Sequence, residues 1–299
     1  NSNPIAGLAA SFAVSGTGNT ITQPAGVTNA SGVITGSFTS TIAQTKTVTV
    51  TVGGTTVLTT QPTVTVNAGA VSPTLSTVAV APASIVAGGS GSLVTVTVRN
   101  TNNVPIVGAT VVFAATGTGN SFTAPAVTDA NGVTTATLTT TVAEVKTVSA
   151  SVGAVTITQQ PTVTATAGAV SPTNSTVTVS PSSIEAGGTG SLVTVTVRNT
   201  NNVPVVGATV VLAATGTGNT LTLPAVTNAS GVTTATLTST IVGAKVVTAS
   251  VGAVTITQQP TVTVTEGTVS SSNSTIAVSP ASIEAGGTAR LGTRTLTCQ

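Results

Sequence analysis

Ser92–Thr140 reads SLVTVTVRNTNNVPIVGATVVFAATGTGNSFTAPAVTDANGVTTATLTT, and Ser191–Ser239 repeats it as SLVTVTVRNTNNVPVVGATVVLAATGTGNTLTLPAVTNASGVTTATLTS. Pro82, Pro181 and Pro280 mark the period (181 − 82 = 280 − 181 = 99). A unit of this length is one small domain rather than a solenoid turn, whose repeats run to about 20–50 residues. Its opening alternates strictly: Val94, Val96 and Val98 share one face, and Thr95, Thr97 and Arg99 share the other. Period-two alternation describes a strand with one buried and one wet face. Val94, Val96 and Val98, with Val193, Val195 and Val197, are therefore the expected core.

The period divides the chain. Residues 1–75 match a copy that lacks its first two strands. Residues 76–174 and 175–273 are complete copies, and 274–299 hold the first two strands of a further one. The first segment carries two one-residue insertions, one of them Gly26. A complete copy reads as about seven short strands separated by Gly, Pro, Asn and Asp turns, with no helical stretch. The expected fold is all-β, a string of immunoglobulin-like Greek-key β-sandwiches. Composition agrees. Hydrophobic residues are 40%, aromatics 1% and charges 4%, and His, Met, Trp and Tyr are absent. Valine and threonine, both β-branched, favour strands. The linkers GAVSPTLST and GAVSPTNST are short and stiffened by Pro73 and Pro172.

The runs VTVRNTNNVPVVGATV and TNASGVTTATLTST carry a resemblance. They are similar to the group 1 bacterial immunoglobulin-like repeat, which builds the extracellular stalks of invasin- and intimin-type adhesins. The resemblance covers the whole chain and implies an extracellular, cell-surface structural array without enzymatic activity.

Chemistry-bearing residues are sparse. With no His, a Ser–His nucleophile is excluded. The five acids are isolated in sequence; Asp129 in TDANG is replaced by Asn29 and Asn228 in the other copies, so it reads as a turn former and not as a calcium ligand. Lys46, Lys146 and Lys245 recur at one strand start. An isopeptide bond would need an acid partner, and Glu144 has no counterpart near the other two, so they read as solvated edge lysines. Arg99 and Arg198 read as solubilising or bonded to a loop carbonyl. Ranks of threonine such as Thr134, Thr137 and Thr139 read as exposed β-formers. No cofactor or metal is expected. A net charge of +2 without a basic cluster argues against nucleic acid. No apolar run approaches the roughly 20 residues of a membrane span, so no membrane insertion is expected in this segment. Cys298 is the only cysteine, so no internal disulfide is possible.

The two ends are complementary. Gln299 aligns with Thr101 and Asn1 with Asn102, so the tail carries the strands that the head lacks. The expectation is a head-to-tail homopolymer in which one tail completes the next head, or else three periods of a longer continuous array. The expected assembly residues are Asn1, Pro4, Ile276, Val278, Ile283, Leu291 and Leu296. Gly292 and Arg294 stand where Val94 and Val96 do, which weakens the donated strand. The alternative is an adhesin segment that binds a host, carbohydrate or other surface, with a surface receptor as its partner. With seven Lys and Arg in all, the native chain should stay intact in trypsin; rapid release of single-copy fragments on a gel would contradict this.

Overall fold

Alternating valine and threonine make strands throughout. The computed structural model describes residues 3–267, 274–279 and 281–295 and contains no helix among them. The chain divides into two compact units, Asn1–Ile85 with Gly91–Thr139 and Glu144–Thr164, and Val86–Ser90 with Thr140–Ala143 and Ala165–Gln299.

The copy at 175–273 serves as the reference. Its strands are β1 (Thr176–Ser180), β2 (Ser183–Glu185), β3 (Ser191–Thr196), β4 (Val211–Ala214), β5 (Asn219–Leu221), β6 (Val232–Ser239), β7 (Gly243–Val251), β8 (Val254–Thr255) and β9 (Thr261–Thr265). One sheet runs β1-β3-β6-β5 and the other β2-β9-β7-β4, with β8 paired to β7. All these pairings are antiparallel except β2 with β9, which is parallel. In β3, Val193 lies between Val179 and Ala235, and Val195 between Val177 and Thr233. Between the sheets lies a core that includes Val177, Val193, Val195, Val197, Leu237, Val247, Ile256 and Val262, each fully buried. Leu192, one residue out of phase, is exposed. Burying each valine contributes roughly 1.5–3 kcal/mol.

Turns follow from side-chain oxygens. Asn228 Oδ1 accepts from Ser230 N at 2.9 Å and Val232 N at 3.1 Å. Gly231 follows with φ +74°, and a Cβ there would lie 2.5 Å from the Val197 carbonyl, so only glycine fits. Asp129 makes the same turn, accepting from Asn131 N and Val133 N at 2.8 Å.

The copy at 76–174 repeats this plan. One sheet holds Thr77–Ala81, Ser92–Thr97, Val133–Thr140 and Asn120–Phe122, and the other includes Ser84–Val86, Thr162–Thr166, Val145–Val152 and Val112–Ala115. Val94, Val96 and Val98 are fully buried.

The head differs. Ala10–Val14, Gln44–Val52, Thr56–Val57 and Thr63–Val66 form one sheet, while Asn19–Thr22 and Ser37–Ser40 form a two-stranded sheet. In complete copies, the counterpart of Ser37–Ser40 pairs with a first-half strand on its other side. Without that half the sandwich is open. Leu58 is 44% and Val64 43% exposed, whereas Ile157, Ile256, Val163 and Val262 at the same repeat positions are 0% exposed. A slot of about 190 Å³ lined by Phe12, Val14, Ile21, Phe38 and Val48 marks the gap. In the tail, Thr275–Ser279 pairs with Arg290–Thr295, and Ile276 faces Arg294 as Val177 faces Val195. Val278 then meets Leu291, one position out of register with the full copies, where Val179 meets Val193.

Ile256 and Leu58 share a repeat position but not an environment. Ile256→Asp should abolish the cooperative unfolding of its copy in urea, because an unpaired carboxylate would be buried. Leu58→Asp should leave the transitions of the copies at 76–174 and 175–273 within about 0.5 kcal/mol of the parent chain.

Candidate functional site at the joint between repeats

The segment Arg198–Val205 is built to hold a neighbouring backbone. Arg198 ends the alternating strand, and its Nη1 donates to Asn202 O at 2.8 Å; Arg99 does the same with Asn103 O. The arginines thus bind a loop carbonyl, one of the two roles their sequence position allows. Asn202 and Asn103 sit at φ +62° and +61°, a conformation that asparagine tolerates.

Asn199 is the centre of the joint. It is fully buried, and its polar atoms are satisfied four times. Nδ2 donates to Ala167 O at 2.7 Å and to Ala87 O at 3.0 Å. Oδ1 accepts from Asn201 N and Val203 N, each at 2.9 Å. Ala87 lies 112 residues upstream, in the preceding copy. Asn201 Nδ2 reaches the same Ala87 carbonyl at 3.3 Å. Ala87 N donates to Thr166 O and Gly88 N to Thr140 O, so the turn at 86–89 is held from its own side too. Gly88 packs so closely that an added Cβ would lie 2.4 Å from Val203 Cγ2. The linker is also tied down: Ser171 N donates to Arg198 O at 2.8 Å and Thr200 N to Ala169 O at 3.1 Å.

The first joint has the same parts with one missing. Asn100 Nδ2 donates to Ala68 O at 2.8 Å, and its Oδ1 accepts from Asn102 N and Val104 N at 2.9 Å. Where the second joint holds Ala87, the first has a groove of about 690 Å³. Ser40, Thr41, Ile42, Asn67, Asn100, Asn102 and Val104 line it, among others.

The lysines correct the sequence reading. Lys46 and Lys146 are fully buried and Lys245 is 3% exposed; none is a solvated edge residue. Each ammonium donates to a carbonyl of the Gly-Thr-Gly-Asn loop: Thr17 O at 2.7 Å, Thr118 O at 2.6 Å and Thr217 O at 3.0 Å. Asn219 closes that loop by donating from Nδ2 to Thr215 O and Gly216 O. The parity of the strand carried the signal, because Lys245 is in phase with buried Val247 and Ala249. Among the described residues, Lys146 alone of the three has an acid partner, Glu144. Bonding to Lys146, then to Thr118 N, holds the Glu144 carboxyl below the usual carboxylate range.

Of the expected assembly residues, Pro4 is exposed, Ile276 is 61% and Ile283 51% exposed. Val278 and Leu291 lie in the paired tail strands. Asn1, Leu296 and also Cys298 lie outside the described residues. Val193, Val195 and Val197 belong to the core cluster described above. Among the described residues no group of His, Cys, Asp and Glu could hold a metal ion, and no helix is long and apolar enough to cross a membrane.

Sheet order, valine core and backbone-locked joint define a tandem immunoglobulin-like β-sandwich protein. Residues 72–168 and 171–267 each match the family described as Invasin, domain 3, and the chain belongs to that family. Among solved structures, that of invasin, described as a bacterial integrin-binding protein, is 24% identical with a TM-score of 0.50; the match covers 92% of this chain and 55% of that one. InvD of Yersinia pseudotuberculosis is 28% identical with a TM-score of 0.47, covering 69% and 63%. The Escherichia coli adhesin FdeC is 24% identical with a TM-score of 0.46, covering 88% of each chain. Among curated protein sequences none matches. The matches are to adhesin domains and not to enzymes.

Two outcomes follow. Asn199→Ala would orphan the buried N–H of Val203 and the Ala167 carbonyl and remove one of the two side-chain donors to the Ala87 carbonyl, at about 1–3 kcal/mol for each buried group left unsatisfied. Its lowest melting transition should fall by at least several degrees, and by more than in Asn100→Ala, which has fewer bonds to lose. Because the folded Glu144 carboxyl titrates below its ordinary value, its contribution is complete above that value. It disappears as pH falls through the lowered one. Acid titration followed by calorimetry should therefore destabilise the copy at 76–174, whereas that at 175–273, with Gly243 in place of Glu144, lacks this component.

Proposed function

We propose that the chain is a structural segment of a bacterial cell-surface stalk, with residues 76–174 and 175–273 each forming one domain. In this reading the open head sandwich is completed by strands of the tail type from the next subunit, giving a head-to-tail filament. The observation that carries it is the exposure of Leu58 and Val64, whose repeat counterparts are fully buried. An unpaired sheet edge over an open apolar slot is a template for an added strand. A head-to-tail contact does not close on itself and so propagates. The near-identity of the copies supports a spacer, since a receptor site calls for a distinctive surface.

Deleting residues 274–299 tests the reading. Under negative stain the parent chain should give fibres and the truncated chain isolated particles; unchanged fibres would rule out strand donation. Arg294→Val restores the valine found at 96 and 195. It should lower the concentration at which fibres form, by about tenfold or more if a buried valine replaces an arginine at the core face.

A second reading rests on the family match. Invasin is described as integrin-binding, and an adhesin segment would bind a host surface. Saturable binding of the truncated chain to host cells would favour it over the spacer.

A further inference from the structure

The three buried lysines differ in what stands beside them. Two residues before each comes Gln44, Glu144 or Gly243. The loop that the lysine holds is otherwise the same in the two complete copies. Gly117 and Gly119 have φ +77° and +71°, and Gly216 and Gly218 have +80° and +74°. Asn120 Nδ2 donates to the carbonyls of Ala115, Thr116 and Gly117, and Asn219 Nδ2 to those of Ala214, Thr215 and Gly216.

In the copy at 76–174 the Glu144 carboxylate lies over Gly117. One of its oxygens, Oε1, accepts from Lys146 Nζ and from Thr118 N, the latter at 3.1 Å. In the head the neutral amide of Gln44 lies over Gly16 in the same way. The copy at 175–273 keeps both donors and has no such side chain. Lys245 is 3% exposed, and among the described residues its ammonium, with three N–H bonds to give, has one acceptor, Thr217 O at 3.0 Å. Thr217 N, the counterpart of Thr118 N, has no partner among the described residues. The space is open too. The atoms within 4 Å of a Cβ built at Gly216 are Lys245 Nζ at 3.2 Å and Lys245 Cδ at 4.0 Å, and around one built at Gly243 there are none. Gly216, Thr217 and Gly243 are exposed, so the space is reached from solvent.

A buried ammonium without a counter-charge carries a desolvation cost that a well-placed carboxylate offsets. Hydrogen bonds from an ammonium to a carboxylate oxygen are among the strongest a protein makes. We infer that Lys245 Nζ and Thr217 N form a binding site for one external carboxylate group, which takes the place that the Glu144 side chain takes in the preceding copy. The group is carried by a free small acid or by an acidic side chain of another protein. The site uses no residue of the joint and does not depend on the head-to-tail reading.

Titration of the full chain with sodium acetate at neutral pH tests it, followed by the amide signals of Thr217 and Thr118 in nitrogen–proton spectra (under magic-angle spinning if the chain is fibrous). The Thr217 amide should move saturably, with half-saturation at about 1–50 mM for a ligand of four heavy atoms. Thr118, already bonded to Glu144, should not move. No saturable movement of Thr217 would overturn the site, and an equal response to sodium chloride would overturn the carboxylate as its ligand. Lys245→Met should weaken the acetate response at least tenfold; an unchanged response would overturn the ammonium as the anchor. Should that variant fail to fold, Glu144→Gly gives the converse test. It makes the copy at 76–174 resemble the one at 175–273, so the Thr118 amide should gain an acetate response, and its failure to do so would overturn the inference. A glutamate blocked at its amino and α-carboxyl groups separates the two sources. Binding tighter than that of acetate supports the site with an acidic side chain as its occupant, and binding no tighter supports it with a free small acid.

Discussion

A core made of valine depends on every strand being present. In the copy at 175–273 no aromatic side chain exists, and the interior is Val, Ile, Leu and Ala from two sheets. Small branched side chains reach only the opposite face, and none is large enough to cover a missing neighbour. Where the first-half strands are lacking, Leu58 and Val64 become surface. The head does carry Phe12 and Phe38, but they line the slot without closing it.

Polar groups hold what the small core cannot. Buried hydroxyls work on backbone: Thr227 Oγ1 donates to Val205 O at 2.6 Å and accepts from Ala208 N at 2.8 Å. Buried lysines fasten the Gly-Thr-Gly-Asn loop of each copy. With charges at 4% of residues, these contacts replace the surface ion pairs that other domains use, and each is worth about a kcal/mol net. The joint uses the same device, a side-chain amide on main-chain carbonyls. Its strength therefore varies little with salt.

The strand plan could be read in the sequence because alternation is a local signal. Val94, Val96 and Val98 share a face by parity alone. The lysines were misread because residue type was weighed above parity; Lys146 is in phase with buried Val148 and Ala150. The role of Asn199 was not legible, since its partner Ala87 lies in another copy and nothing in RNTNNVP marks a contact across 112 residues. The one-residue slip between the tail strands was equally hidden, because it depends on pairing rather than on pattern.

The joint between Ala87 and Asn199 uses only residues that recur in every full period. Unequal exchange between two copies of the coding sequence, in register with the 99-residue period, would therefore recreate an intact joint at the new seam. Such an array can gain or lose copies without any compensating change at its contacts. Its length becomes a heritable quantity that moves in whole steps, separately from whatever it carries at its ends.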